Sequence, residues 1–450
     1  MNDARADEFD LLVIGAGVAG VAAASACAVG GWRVAITDPL PYGGTCPLRG
    51  CDPKKILRRG AEVVDAAERM SGRGIASVPA IDWGDLVAYK RGYTDGIPRA
   101  MESSLRDAGV ETLHERARFV APDAVEVGGR RIRARRFLIA TGARPRTLGI
   151  PGEELVTDST GFMELDELPA RIVFVGGGFV SFEFAHIAAR AGARCTIVHR
   201  HDRPLTGFDP ELVDALVDET KHLGIEVVSG ADASGVSREE GALVVELSTG
   251  DRLESDLVVH GGGRVPHLDA LGLDAGGIAH GRGGVVVTEG LRSTTNPRVY
   301  AAGDVADTAG RPLTPVASLE GSRVAQNLLA DADDAPDYAG IPSTVFSLPE
   351  LTRVGMLEEE ARSSGRRVRV TRLDTSGWYS SYRVGARTAR IAVVIDEDTD
   401  LVLGAHLLGT DYADLVGFFA AAISLGVTAS RLATVTAAYP TVGSDLASML

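Results

Sequence analysis

Phe9-Asp10-Leu11-Leu12-Val13-Ile14-Gly15-Ala16-Gly17-Val18-Ala19-Gly20 is the stretch that decides the fold. Residues 9–14 make an apolar run of strand length, the pattern of a buried strand. Three glycines in G-x-G-x-x-G spacing follow, and residues 21–29, mostly small and apolar, read as a helix. Residues 33–37 read as a second strand that ends at Asp38. Strand, glycine turn, helix and strand make a βαβ unit. Its glycines allow a tight turn and close approach to a pyrophosphate, which the helix N-terminus faces. An acid at the end of the second strand accepts from a ribose hydroxyl. The acid about 20 residues on separates this fingerprint from a bare glycine turn.

The pattern repeats. Residues 171–175 read as a strand, followed by Gly176-Gly177-Gly178-Phe179-Val180-Ser181, a helix to Ala191 and a strand over residues 194–198. Ser181 takes the third glycine position and is still small. Two such units imply two dinucleotides. The second unit ends His199-Arg200-His201-Asp202-Arg203, with no carboxylate at the strand end. Arg200 and Arg203 there favour a 2′-phosphate, hence NADPH over NADH.

Between the two units lies Gly43-Gly44-Thr45-Cys46-Pro47-Leu48-Arg49-Gly50-Cys51-Asp52-Pro53-Lys54-Lys55, with two of the chain's four cysteines. On a regular helix, residues five apart have Cα atoms roughly 8–9 Å from each other. A disulfide needs less than about 7 Å. If Cys46 and Cys51 pair, the backbone between them is not a plain helix, and Pro47 and Gly50 suit a distortion. A short loop gains little from closure, so such a pair reads as redox chemistry before stability. A metal site needs more ligands than this stretch offers.

The bulk figures narrow the class. A chain of 450 residues holds several domains. Net charge −15 argues against a nucleic-acid footprint. The N-terminus is polar and acidic with no basic n-region, so no signal peptide is expected, and no apolar run of about 18 residues predicts a membrane span. A cytoplasmic location is expected.

The rest of the chain divides as follows. Residues 54–70 read as a helix, residues 83–107 as a second helical region, and residues 109–136 as short strands. Residues 137–143 are an apolar strand closing in Ala140-Thr141-Gly142, and a boundary is expected near residue 150. Asp209-Pro210 is an N-cap and first-position pair for a helix. Residues 299–304 are an apolar strand ending in Asp304, and residues 314–330 a helix. Beyond residue 340, β-rich runs alternate with helices, as in an α+β domain.

These residues resemble the flavoprotein disulfide reductases, the family of glutathione reductase, dihydrolipoyl dehydrogenase and mercuric reductase. The likeness rests on Gly-Gly-Thr-Cys-x4-Cys-x-Pro-Lys at residues 43–54, the two fingerprints in order, and the strand ending in Asp304. It implies an α/β fold: two Rossmann-like dinucleotide-binding domains plus a C-terminal α+β dimerisation domain. Residues 1–150 would be the first part of the FAD domain, 151–265 the NAD(P) domain, 266–335 the second part of the FAD or central domain, and 336–450 the interface of a homodimer. Cys46 would be the interchange thiol that meets substrate, and Cys51 the thiol beside the flavin. Lys54 would lie near the flavin, paired with Glu183. Phe179 stands where the family has an aromatic gate over the nicotinamide. Gly15, Gly17, Gly20, Asp38 and Asp304 would hold FAD, and Gly176, Gly178, Arg200 and Arg203 would hold NADPH. Gly44, Thr45, Thr141, Gly142, Gly263 and Gly303 would complete the cofactor-binding set. Cys27 and Cys195 read as buried core residues.

One segment departs from the family. Glutathione reductases have His-Pro with a glutamate five residues after the His; this chain has Tyr439-Pro440-Thr441-Val442-Gly443-Ser444-Asp445. An ordinary tyrosine titrates near pH 10 and a histidine near about 6.5, so Tyr439 suits hydrogen bonding better than proton transfer. Asp445 is a substitute acid/base or, as the favoured reading, a helix N-cap. Mercuric reductases also lack that histidine. The leading expectation is transfer of a hydride from NADPH through FAD to the Cys46–Cys51 disulfide, then to a small disulfide substrate. A metal ion or quinone as acceptor remains open, as does a flavin-bearing redox sensor.

Overall fold

A computed structural model describes residues 8–450, and contacts within the chain divide it into two units. The first holds the described residues up to Lys54 with Tyr89–Arg146 and Arg264–Tyr338. The second holds Lys55–Ala88, Thr147–Gly263 and Ala339–Leu450.

In the first unit the strand Glu8–Ile14 is central to a seven-stranded sheet. In order across the sheet stand Glu111–Leu113, Val34–Thr37, Glu8–Ile14, Arg130–Ile139, Ala124–Val127 and Ala117–Ala121, with Val299–Ala301 also paired to Arg130–Ile139. Glu8–Ile14 is parallel to both neighbours, Leu11 lying opposite Val34 on one side and Arg136 on the other. Alternate residues point to opposite faces, and both faces are buried, which is why the run shows no polar alternation. Leu11 and Val13 pack with Ala19, Ala23 and Val324, whereas Leu12 and Ile14 pack with Phe119 and Phe137. The helices Val18–Val29 and Thr314–Ala330 cover the first of these faces. They approach so closely that a methyl on Gly321 would run into the Ala19 backbone.

In the second unit the repeated βαβ pattern gives a parallel sheet ordered Glu226–Ser229, Arg194–His199, Arg171–Val175, Leu257–His260. Asp209 caps the helix Pro210–His222, taking hydrogen bonds from the Glu211 and Leu212 amides at 3.1 and 3.2 Å. Such a cap contributes about 1 kcal/mol. The C-terminal part is a five-stranded antiparallel sheet in the order Ser343–Val345, Glu350–Gly355, Val402–Gly409, Arg390–Asp396, Val368–Asp374. The helix Tyr412–Leu425 buries Leu415, Val416 and Phe419 against Val354, Ile391 and Leu407 of that sheet.

Three boundaries differ from the sequence reading. The helix expected from residue 54 is Cys51–Arg69, because Pro53 is accepted in a first turn, where its missing N–H has no partner to lose. The region 83–107 is two helices, Trp83–Thr94 and Ile97–Asp107, the second opening on Gly96 with Pro98 in its first turn. Lys55–Ala88, read with the first 150 residues, groups with the second unit. Leu57, Ala61, Trp83 and Val87 join its core of Phe162, Phe174, Phe182 and Phe184. Among the described residues, no helix is long and apolar enough to cross a membrane.

The C-terminal sheet carries a titratable group in its interior. His406 is buried, its Nε2 at 2.9 Å from the Met356 carbonyl and its residue directly opposite buried Arg353. Burial first, and the Arg353 charge after it, lower its pKa to about 4. A folded-state value below the ordinary 6.5 means that His406 costs nothing above pH 6.5 and destabilises the fold as pH falls toward 4. A Gln at this position keeps the donor and does not titrate. His406→Gln is expected to lose less Tm than wild type between pH 6.5 and 4, by about a few degrees, in calorimetric scans. Equal losses in the two proteins overturn this.

Candidate active site

Cys46 lies in the short helix Thr45–Arg49, and Cys51 opens the helix Cys51–Arg69. Gly50 separates them with φ −143° and ψ −116°, far from helical. The break folds the two cysteines toward each other, and both are thiols here. Cys46 is half-buried and Cys51 exposed. The Cys46 thiol is pushed well up by hydrogen bonding with the Cys51 sulfur, then by burial; the Thr314 hydroxyl opposes this and the Asp52 charge adds to it. Thr314 Oγ1 stands 3.5 Å from Cys51 Sγ, at the start of Thr314–Ala330. Asp52 reaches back to Cys46, its Oδ1 4.0 Å from Sγ, while Tyr93 donates to its Oδ2 at 3.3 Å. Cys27 and Cys195 are buried, and burial pushes both thiols up to about 12.

Gly44 ties the redox stretch to the first glycine loop. It has φ +71°, and a Cβ there would lie 2.5 Å from Gly17 Cα. Backbone therefore meets backbone where the two loops touch. A Cβ on Gly20 would collide with the Gly15 carbonyl, so this position needs glycine. The helix Val18–Val29 starts on Gly17 with no side chain capping it, as a phosphate-facing N-terminus should. Asp38 Oδ2 accepts from the Ala16 amide at 2.8 Å and Oδ1 from Leu40 at 2.9 Å. Each oxygen retains a lone pair for a ribose hydroxyl. Thr141 Oγ1 donates to the His267 carbonyl at 2.7 Å, and the Gly142 carbonyl accepts from the His267 amide at 2.8 Å, fixing the turn after Arg130–Ile139. The Gly303 amide donates to buried Glu320 at 2.6 Å, and burial holds the Asp304 carboxyl above its usual range. These residues fit a bound dinucleotide such as FAD.

The second loop solves the same packing problem differently. Ser181 is fully buried, and the room for its side chain comes from Gly261, where a Cβ would overlap the Ser181 hydroxyl. The helix Phe179–Arg190 also begins uncapped, on Gly178, and Gly176 turns with its would-be Cβ 2.5 Å from the Gly261 carbonyl. Phe179 is 51% exposed at the mouth of this loop. Arg200 follows directly on the strand Arg194–His199, its Nε 3.1 Å from His201 Nε2. Arg203 is engaged by Asp214 in a two-pronged pair at 2.8 and 2.9 Å. Gly263 has φ +105° after Leu257–His260. The cradle fits a second dinucleotide.

Lys54 ends the first unit's opening segment, one turn along the helix from Cys51. Glu183 belongs to the second unit, buried, its Oε1 taking the Phe346 amide at 2.7 Å. Tyr439 is 84% exposed just before the 3-10 helix Val442–Met449. Asp445 is not the N-cap expected from the sequence. Thr441 holds the N-cap position, its amide donating to Ser444 Oγ at 3.3 Å and its hydroxyl to the Ala438 carbonyl at 2.6 Å, while the Asp445 carboxylate takes a hydrogen bond from Ser380. The acid therefore lies inside the first turn. Among the described residues, no group of three or more His, Cys, Asp or Glu side chains is placed to hold a metal ion.

Sequence reading passed over Asp52, Tyr93 and Thr314. Asp52 adjoins Cys51, and Tyr89 and Tyr93 share an exposed helical face at four-residue spacing, so two of the three had a signal. Thr314 had none, being 263 positions from Cys51.

Comparison with known proteins places these features. Residues 9–321 match the family model described as pyridine nucleotide-disulphide oxidoreductase, and residues 341–449 match its dimerisation domain. Glutathione reductase of Burkholderia cepacia is 33% identical, over 98% of each chain. Mercuric reductase of Staphylococcus aureus is 29% identical, over 98% of this chain and 82% of that protein. The HOCl-induced flavoprotein disulfide reductase RclA from Escherichia coli superposes with TM-score 0.89 at 27% identity, over 98% of this chain and 99% of that one.

The seat of Gly44 on Gly17 makes a direct prediction. Gly44→Ala is expected to purify with at least about threefold less flavin per chain, read as the ratio of absorbance at 450 and 280 nm, since overpacking there costs about 1–3 kcal/mol. Full flavin content in that variant overturns the contact as a determinant of cofactor binding.

Proposed function

Because the chain belongs to the pyridine nucleotide-disulphide oxidoreductase family, we propose that it uses NADPH and FAD to reduce a small disulfide through the Cys46–Cys51 pair. The observation that carries this reading is the pair of cysteines drawn together at Gly50 and anchored through Gly44 to the dinucleotide loop. The bound flavin would supply two-electron transfer between the reduced nicotinamide and the cysteine pair. Everything else falls to the chain. Residues 1–150 and 266–335 hold FAD, residues 151–265 hold the nicotinamide dinucleotide, and residues 336–450 form the interface of a homodimer. Gly15, Gly17, Gly20, Asp38, Gly44, Thr45, Thr141, Gly142, Gly303 and Asp304 bind the first cofactor. Gly176, Gly178, Phe179, Arg200, Arg203 and Gly263 bind the second, the two guanidinium groups favouring a 2′-phosphate.

In the reductive half of the cycle Lys54 supplies positive charge one turn from Cys51, and Thr314 donates to a Cys51 thiolate. In the oxidative half the Cys46 thiolate attacks one sulfur of the substrate. The other sulfur leaves as a thiolate and takes a proton. Cys51 then attacks Cys46, releasing the second product thiol and restoring the disulfide. Tyr439 hydrogen-bonds to the substrate and does not act as the base. A metal ion as acceptor is the second reading, favoured by Tyr439 in place of histidine and by the likeness to a mercuric reductase.

The test is an acceptor panel with NADPH: glutathione disulfide, other small disulfides, Hg(II), Cu(II) and benzoquinone. Disulfide turnover that falls to background in Cys46→Ser and Cys51→Ser, but by less than about tenfold in Tyr439→Phe, supports the leading reading. Absence of disulfide turnover, with metal or quinone reduction surviving Cys46→Ser, overturns it.

Arg200 is tested separately by comparing the two nicotinamide nucleotides. Arg200→Ala is expected to raise KM for NADPH about tenfold while leaving that for NADH nearly unchanged, the loss of one charge-assisted hydrogen bond. Equal effects on both reject the 2′-phosphate contact.

A further inference from the structure

Asp52 is an acid in contact with the redox pair. Its Oδ1 is 4.0 Å from Cys46 Sγ, and Tyr93 fixes its other oxygen at 3.3 Å. It sits in the first turn of Cys51–Arg69, at the positive end of the helix dipole. The Cys51 thiol, the Thr314 hydroxyl and the Tyr93 hydroxyl also act on Cys46. The basic residues of these two helices nearest in sequence are Arg49, Lys54 and Lys55. The Asp52 carboxylate thus stands 4.0 Å from the sulfur that attacks the acceptor.

We propose that Asp52 is a specificity-determining residue for disulfide reduction: its carboxylate, set beside Cys46 and positioned by Tyr93, selects neutral or cationic disulfides over anionic ones. This rests on the reading of Cys46 as the interchange thiol. The chemistry follows from the approach of the acceptor. As the Cys46 thiolate forms its bond to one acceptor sulfur, charge spreads over three sulfurs in line, and the departing sulfur carries negative charge away until it is protonated. Acidic groups flanking the acceptor disulfide meet Asp52 during that approach, and amines there are attracted to it. Only the local charge is at issue, because the net charge of −15 acts on every acceptor from a distance and is screened by salt. The Asp52 charge also opposes ionisation of the Cys46 thiol, in the direction its pKa is displaced.

Two measurements on the FAD-loaded protein separate this idea from the reading beneath it. The first needs no turnover. In a Cys51→Ser background, Cys46 is alkylated with anionic iodoacetate and with neutral iodoacetamide, the modified residue being assigned by peptide mass. Adding Asp52→Asn is expected to raise the iodoacetate-to-iodoacetamide rate ratio about 3- to 10-fold at low ionic strength, and by much less in about 1 M salt. Tyr93→Phe, which frees the carboxylate without removing it, should shift the ratio the same way by a smaller factor, and stands in if the Asp52 variant does not fold. The second compares kcat/KM for glutathione disulfide, a net anion, with that for cystamine, a dication, using NADPH. Asp52→Asn is expected to raise the anion-to-cation ratio about tenfold. An unchanged alkylation ratio in both variants overturns the proposal. A changed alkylation ratio with neither disulfide reduced by wild type supports the charge effect and overturns disulfide reduction as the function.

Discussion

The backbone of Gly44 rests on the backbone of Gly17, and the site depends on that contact. One loop turns the chain out of the first strand and faces a dinucleotide. The other leads into the redox cysteines. With side chains between them, the spacing of the two loops would follow rotamers and thermal motion. With a Cβ excluded at Gly44 by a 2.5 Å approach, backbone rests on backbone and the spacing of the loops is narrow. The positive φ of Gly44 starts the short helix carrying Cys46, and the break at Gly50 aims the next helix so that Cys51 opens it.

Much of this was legible in the sequence because glycine and strand signals are local. The run at residues 9–14, the acid at Asp38 and the repeat at residues 171–198 gave both nucleotide-binding folds, since each element is defined by neighbours within a few positions. The need for a distortion between Cys46 and Cys51 was legible for the same reason. What escaped was set by distance along the chain. Thr314 meets Cys51 only because Thr314–Ala330 packs on Val18–Val29, a tertiary fact with no sequence mark. Glu183 takes the Phe346 amide, 163 positions away, a partner no spacing rule announces. Asp445 was misread because a carboxylate near a helix start has two roles of similar appearance, and the helix begins earlier, with Thr441 at the N-cap position.

Electrostatics around the thiols divide along the same lines. Cys27 and Cys195 are inert because burial alone makes ionisation costly. Cys46 is also pushed upward, first by hydrogen bonding with its partner sulfur and then by burial. The part due to the partner sulfur is lost when the two sulfurs bond to each other, whereas the burial of a core cysteine is fixed.

Ser181 and Gly261 show how a fingerprint position can change hands. In the first loop the helix bears the glycine; in the second the helix keeps a side chain and the chain after the neighbouring strand gives up its own. A Cβ at 261 would overlap the Ser181 hydroxyl and lie 3.2 Å from its Cβ, so the two positions constrain each other. A side chain at 261 is accommodated most easily when 181 is small, and a serine at 181 when 261 is glycine. Lineages of this fold should carry the deficit on one side or the other, and a search for the third glycine alone would pass over those that carry it on the second.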